Sequence, residues 1–235
     1  MIKTMIQKNN QHLRQNHLIL MVKTPKRGQV KTRLARGIGW GEATQFYRRT
    51  ATRLITQLSQ DPRWRTFIAI SPDASQGHWP WPKAATPEPQ GTGNLGTRMQ
   101  NLFANHAPNP TLIIGTDIPA ITAAHIHQAF KAIHKSGFAI APSGDGGYWG
   151  VGQKNCPTTL QAFKNVRWST EHALDDTIQN IPKKKLTMLN APLPDIDEKA
   201  DYDTIPSNRK QRWIQTPEAP HKTNQNPNID LRKPH

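Results

Sequence analysis

At 235 residues, 35% of them hydrophobic, the chain is long enough for one α/β domain with a full core and short for two. Its formal charge of +15 is unevenly spread: residues 1–16 hold Lys3, Lys8 and Arg14 with no acid, residues 207–235 hold six basic against two acidic residues, and Lys23 to Arg36 hold six basic and no acid, a focus that suits a compact polyanion such as a nucleoside diphosphate and argues against a nucleic-acid duplex. One cysteine excludes an internal disulfide, no run approaches the ~20 apolar residues of a membrane span, and the polar N-terminus lacks a secretion signal, so a cytoplasmic protein is expected.

Residues 1–16 read as a flexible extension, 17–205 as the domain, and 206–235 as a disordered basic tail rich in Pro, Asn, Gln and Lys. His17 to Val22 is a continuous apolar run, the pattern of a strand buried on both faces. It leads into the basic loop, where Pro25 and Gly28 break regular structure and Lys31, Thr32 and Arg33 fall where a helical turn begins. Together with Lys23 these residues form either a phosphate cradle or a solvated basic loop. Tyr47, Ala51, Leu54, Ile55 and Leu58 recur at helical spacing, so Gly41 to Gln60 is an amphipathic helix over the sheet. Trp64 to Ile70 is a second strand. Residues 71–90 read as a Pro-rich loop, whose Trp79 and Trp81 form either an acceptor lip or a cover over a helix.

Gln90, Gly91, Gly93 and Gly96 precede a helix carrying Leu95, Met99, Leu102 and Phe103, with Arg98 in its first turns, which lets backbone approach a ligand closely. The glycines do not follow a strand directly, so this is no dinucleotide fingerprint. Leu112 to Gly115 is a short buried strand, followed by a turn with Thr116, Asp117 and Pro119. In open α/β sheets ligands bind beyond the carboxyl ends of the strands, so Asp117 either faces a ligand or caps the turn before the next helix. Thr122 caps that helix, Ile126, Ala129, Phe130 and Ile133 form its buried face, and Gly137 ends it. Phe138 to Ala141 is a further strand, and Asp145 follows among glycines, as a hairpin turn or as a second acidic site, before Tyr148 and Trp149 resume a strand-like pattern. Asn165 to Thr170 leads into a helix with Ser169 or Thr170 as cap, Leu186 to Leu189 is the last strand, and an acidic cluster from Asp195 to Asp203 precedes a short helix.

Taken together, Lys23-x-Pro25 with Gly28-x-Val-Lys-Thr-Arg-Leu34, Gln90-Gly-x-Gly-x-Leu-Gly-x-Arg-Met99, Gly115-Thr-Asp-x-Pro119, Pro142-x-x-Asp-Gly-Gly-Tyr148, Trp168-Ser-Thr170 and Asp195-x-Asp197 resemble the bacterial glycosyltransferase A-type family called domain of unknown function 2064. The resemblance implies a Rossmann-like three-layer α/β/α sandwich with a mostly parallel mixed sheet, of nucleotide-diphospho-sugar transferase type, and a nucleotide site over strand one. It is a partial match to wider relatives: the Gly-x-Gly-Thr-Arg loop of sugar-nucleotide pyrophosphorylases is replaced by the Pro/Lys/Arg loop, and the common Asp-x-Asp reduces to Asp117 alone.

Three functions are weighed. The first is a metal-dependent glycosyltransferase that uses a nucleotide-sugar donor and a small-molecule acceptor, with Lys23, Lys31, Thr32, Arg33, Gln90, Gly91 and Arg98 on the nucleotide and its phosphates. Mg²⁺ or Mn²⁺ would sit on Asp117, with Asp145 or Asp197 completing the shell, and Asp145 serving as base if it is not a ligand. The second is nucleotidyl transfer from an NTP to a phosphorylated acceptor, releasing pyrophosphate. The third is a basic nucleic-acid-binding module driven by the tails, whose salt-dependent binding would survive Asp117→Ala and vanish on trimming them.

Overall fold

The computed structural model describes residues 14–75, 80–190 and 192–206. Most of the expected N-terminal extension, Trp79 and the tail beyond Pro206 lie outside the described residues. Among the described residues, β1 (Asn16–Lys23), β2 (Trp64–Ser71), β3 (Thr86–Pro89), β4 (Thr111–Ile114), β5 (Phe138–Pro142), β6 (Tyr148–Gln153) and β7 (Leu186–Met188) form one sheet in the order β3-β2-β1-β4-β6-β5-β7. β6 runs antiparallel to β4 and β5, and the other pairs are parallel.

Side-chain alternation along the strands separates two cores. Leu18, Leu20 and Val22 of β1 meet Leu54, Ile55 and Leu58 of α2 (Trp40–Leu58) and Ile126, Phe130 and Ile133 of α4 (Ala123–Ser136) on one face. Ile19 turns to the other face, toward Met99, Leu102 and Phe103 of α3 (Leu95–Asn105), with Leu174 and Ile178 of α5 (Ala173–Gln179) beside them. The result is the expected three-layer sandwich. α4 is closed as its sequence predicts, with Thr122 accepting from His125 N–H in a capping box and Gly137 ending the helix at φ 100°.

Two local readings are corrected. Residues 71–90 are not loop throughout, because Thr86–Pro89 adds a strand beside β2. β3 is an edge of the sheet, where Pro87 and Pro89 lose no ladder bond they would otherwise make. The helix after Trp168 starts at Ala173 with His172 at its N-cap, so neither Ser169 nor Thr170 caps it; Thr170 instead closes a local turn by accepting from His172 N–H at 3.2 Å.

A third, smaller core joins α1 (Thr32–Ile38), α2 and α6 (Lys199–Thr204) through Leu34, Ala35, Phe46, Ile196 and Ile205. Gly37 permits this contact, since a Cβ there would lie 2.5 Å from Lys199 Cβ. The acidic segment is thereby folded back onto the basic loop.

Candidate active site at the carboxyl ends of β1 and β4

Where β1 and β4 end, the sheet opens a cleft of about 530 Å³ lined by Lys23, Lys31, Thr32, Arg33, Tyr47, Gln90, Leu95, Arg98, Asp117, Tyr148 and Asp197 among others. The basic loop therefore faces a cavity. Lys31 precedes α1 in the left-handed region at φ 47° and ψ 46°, a conformation that costs a non-glycine residue about 1–2 kcal/mol. That backbone turns its side chain inward, leaving it 5% exposed. Its Nζ donates to Asp197 Oδ1 at 2.7 Å and lies 3.5 Å from Asp117 Oδ2. Arg33 pairs with the other oxygen of Asp197 from the solvent side. Asp197 is positioned in turn by Asp201, whose carboxylate accepts from the Asp197 and Glu198 N–H groups at 3.1 and 2.9 Å.

Asp117 does not cap α4, since Thr122 does; its carboxylate stands half-exposed at the cleft with Lys31 as its cationic neighbour. The strand end that carries it is braced by Tyr47. The Tyr47 hydroxyl accepts from Lys23 N–H at 2.7 Å and lies 3.5 Å from Thr116 Oγ1, which donates to Met21 C=O at 3.2 Å. Burial pushes the phenol up to about 12, against the hydrogen bonds from Thr116 and Lys23.

The opposite wall is set by Gln90. Its amide donates to Val22 C=O and Ala69 C=O, both at 2.9 Å, and its Oε1 accepts from Arg98 at 2.8 Å. Gln90 thus spends its side chain on holding β1, β2 and Arg98, and Arg98 presents the charge to the cleft. Gly91 is outside the cleft lining, and its N–H goes to Asp73 at 3.2 Å.

Asp145 lies in an adjoining acidic recess of about 350 Å³, with Arg33, Asp195, Asp197, Glu198 and Asp201. Burial raises its pKa, but hydrogen bonds from Ser143 and from the Gly147 backbone, with the charge of Arg33, more than offset this and leave it below the usual carboxylate range. Asp195 is raised to about 6 by burial and by the neighbouring charge of Asp197, with Asp145 and Asp117 adding to the effect. Asp195 thus feels three other carboxylates, with Lys31 opposing them. Among the described residues no group of three or more His, Cys, Asp or Glu is gathered as a ready metal cage.

Residue patterns had marked Lys23, Lys31, Thr32, Arg33, Arg98, Asp117 and Asp197, which meet here. They had not marked Tyr47, whose helical spacing signals only packing. Asp195 was visible in the Asp-x-Asp motif but had been given no role. Trp81 packs on the helical face of the first core and not in the cleft, so it forms no acceptor lip there.

The topology and the position of the cleft define an α/β protein of the nucleotide-diphospho-sugar transferase fold. Residues 54–170 match the family described as "Uncharacterized protein conserved in bacteria (DUF2064)". Among solved structures, a protein from Desulfovibrio desulfuricans G20, provisionally assigned as a nucleotide-diphospho-sugar transferase, is similar at 22% identity and a TM-score of 0.74, covering 84% of this chain and 89% of that one. A nucleotidyl transferase from Methanothermobacter is similar in fold at 10% identity and a TM-score of 0.53, covering 85% of this chain and 98% of that one. No curated protein matches the sequence. No helix among the described residues is long and apolar enough to cross a membrane.

Proposed function

We propose that the cleft binds a nucleotide sugar and transfers its glycosyl group to a small-molecule acceptor, with Mg²⁺ or Mn²⁺ held by Asp117 and Asp197. One observation carries this reading: carboxylates from two distant segments converge on a single cationic atom, Lys31 Nζ, at a cleft walled by further basic residues. Hard oxygen donors around a cation position are what these ions select, so the residues fit the group. Bound there, the ion would neutralise charge developing on the leaving diphosphate.

The chain's own residues do the rest. Lys23, Thr32 and Arg33 bind the phosphates from the loop after β1, and Arg98, oriented by Gln90, supplies a charge from the opposite wall. Asp145 faces the recess from which the acceptor approaches, ionised and able to take the acceptor's hydroxyl proton; the hydrogen bonds that keep it ionised also make it a weak base.

A thermal-shift panel of nucleoside diphosphates, triphosphates and nucleotide sugars, with and without Mn²⁺, tests the reading. A ligand at one hundred times its Kd adds about 2.7 kcal/mol of stability, a rise of roughly 5–10 °C for a domain this size. Release of nucleoside diphosphate from the stabilising sugar nucleotide supports glycosyl transfer. Release of pyrophosphate from an NTP replaces it with nucleotidyl transfer, and a flat panel refutes both.

A further inference from the structure

We infer that Lys31 is a tethered cation that holds the divalent-ion position of the ligand-free protein and yields it to the substrate's phosphates, so that metal is admitted with substrate and not before it. This rests on the metal site proposed above, and it concerns the order in which that site fills.

The geometry makes Lys31 and a metal mutually exclusive. The ammonium lies 2.7 Å from Asp197 and 3.5 Å from Asp117, so it occupies the place where a divalent ion held by these two carboxylates would sit. The side chain is buried, and Asp197 is also paired with Arg33, so in the free protein its carboxylate already has its counter-charge. A metal arriving alone gains little by replacing a cation that costs nothing to recruit.

Phosphate changes the balance. Lys31 sits between Gln29, Val30 and Thr32 on the cleft wall, and its flexible four-carbon stem lets the ammonium turn from the carboxylates toward a polyanion. Once it turns, Asp117 and the more buried Asp197 are left with less compensation, an unfavourable state that a divalent ion relieves. Phosphate binding and metal binding are coupled through one side chain.

The test applies two probes separately to the full-length chain and to Lys31→Gln. Mn²⁺ alone is followed by the electron paramagnetic resonance of the free ion, and pyrophosphate alone, without metal, by calorimetry. Removing the ammonium should tighten Mn²⁺ and weaken pyrophosphate, each by about ten-fold, the scale of one charge-assisted hydrogen bond. Opposite signs are the signature, because a structural lesion weakens both. Adding Asp197→Asn to Lys31→Gln should remove the gain in Mn²⁺ affinity. Lys31→Met, which keeps the aliphatic stem, replaces Gln if that variant does not melt cooperatively. Mn²⁺ binding no tighter than in the wild type, or unchanged pyrophosphate binding, overturns the inference. Neither probe contains a base or a sugar, so a failure of the glycosyltransferase reading leaves these outcomes readable.

Discussion

Tyr47→Phe isolates the brace that joins the two strand ends of the cleft. The substitution keeps the ring and deletes one oxygen, which in the wild type accepts from Lys23 N–H at 2.7 Å. The ring is buried, 6% exposed, which limits the access of water to the orphaned N–H from the cleft side. An orphaned buried N–H costs about 1–3 kcal/mol. Thr116 contributes little to this sum, because its contact with Tyr47 is 3.5 Å and it retains its bond to Met21 C=O. At roughly 2–4 °C per kcal/mol for a domain of this size, melting should fall by about 2–12 °C. The phenol, pushed up to about 12 by burial, does not ionise in the working range, so the loss should be the same at mildly acid and mildly alkaline pH. Tyr148→Phe is the control. Its hydroxyl meets Thr177 Oγ1 at 3.3 Å, and that threonine already donates to Ala173 C=O at 2.8 Å, so no backbone donor is orphaned and the cost should be smaller. Unchanged melting of Tyr47→Phe, or a loss equal to that of Tyr148→Phe, refutes the bracing argument.

Asp117→Asn should leave stability within about 0.5 kcal/mol, since Thr122 and not Asp117 caps α4, yet abolish the tightening of nucleotide binding by Mn²⁺ in calorimetry; retained tightening removes Asp117 from the ligands. Arg33→Ala should weaken nucleotide binding by about ten-fold, because Arg33 lines the cleft, whereas Arg27→Ala, exposed and outside the lining, should do little; equal losses would mean a diffuse basic surface. Gly146→Ala should cost about 3 kcal/mol or more in denaturant melts, because the residue is at φ 81° and a Cβ would lie 2.3 Å from Glu171 C=O. Stability should also fall as pH drops through the window from about 6.5 to 4. His17 is lowered from 6.5 to about 4 by burial and then by the charges of His106 and Arg65, so the unfolded chain takes up its proton first. Glu88, 2.9 Å from His106, faces the same pair. His17→Gln should flatten the slope in melts taken across that window, and an unchanged slope assigns it to other groups.

How much of this was legible beforehand follows the range of the forces involved. Apolar runs and helical spacing are local, so β1, β4, β5 and the amphipathic helices were readable, as were the cap at Thr122 and the stop at Gly137. The residue types of the site were readable for the same reason: Lys31, Arg33, Asp117 and Asp197 each stand in a short motif. Strand order is not local. β3 carries two prolines and is a strand only because β2 offers an open edge, and β6 takes its place between β4 and β5 through antiparallel pairing that no periodicity encodes. The pairing of Lys31 with Asp197, 166 residues apart, depends on α6 packing against α1 where Gly37 leaves room. Sequence thus determined which groups carry the charge. Tertiary packing alone decided that a lysine expected on phosphate would rest between two carboxylates, because a buried ammonium must find its counter-charge wherever the fold supplies one.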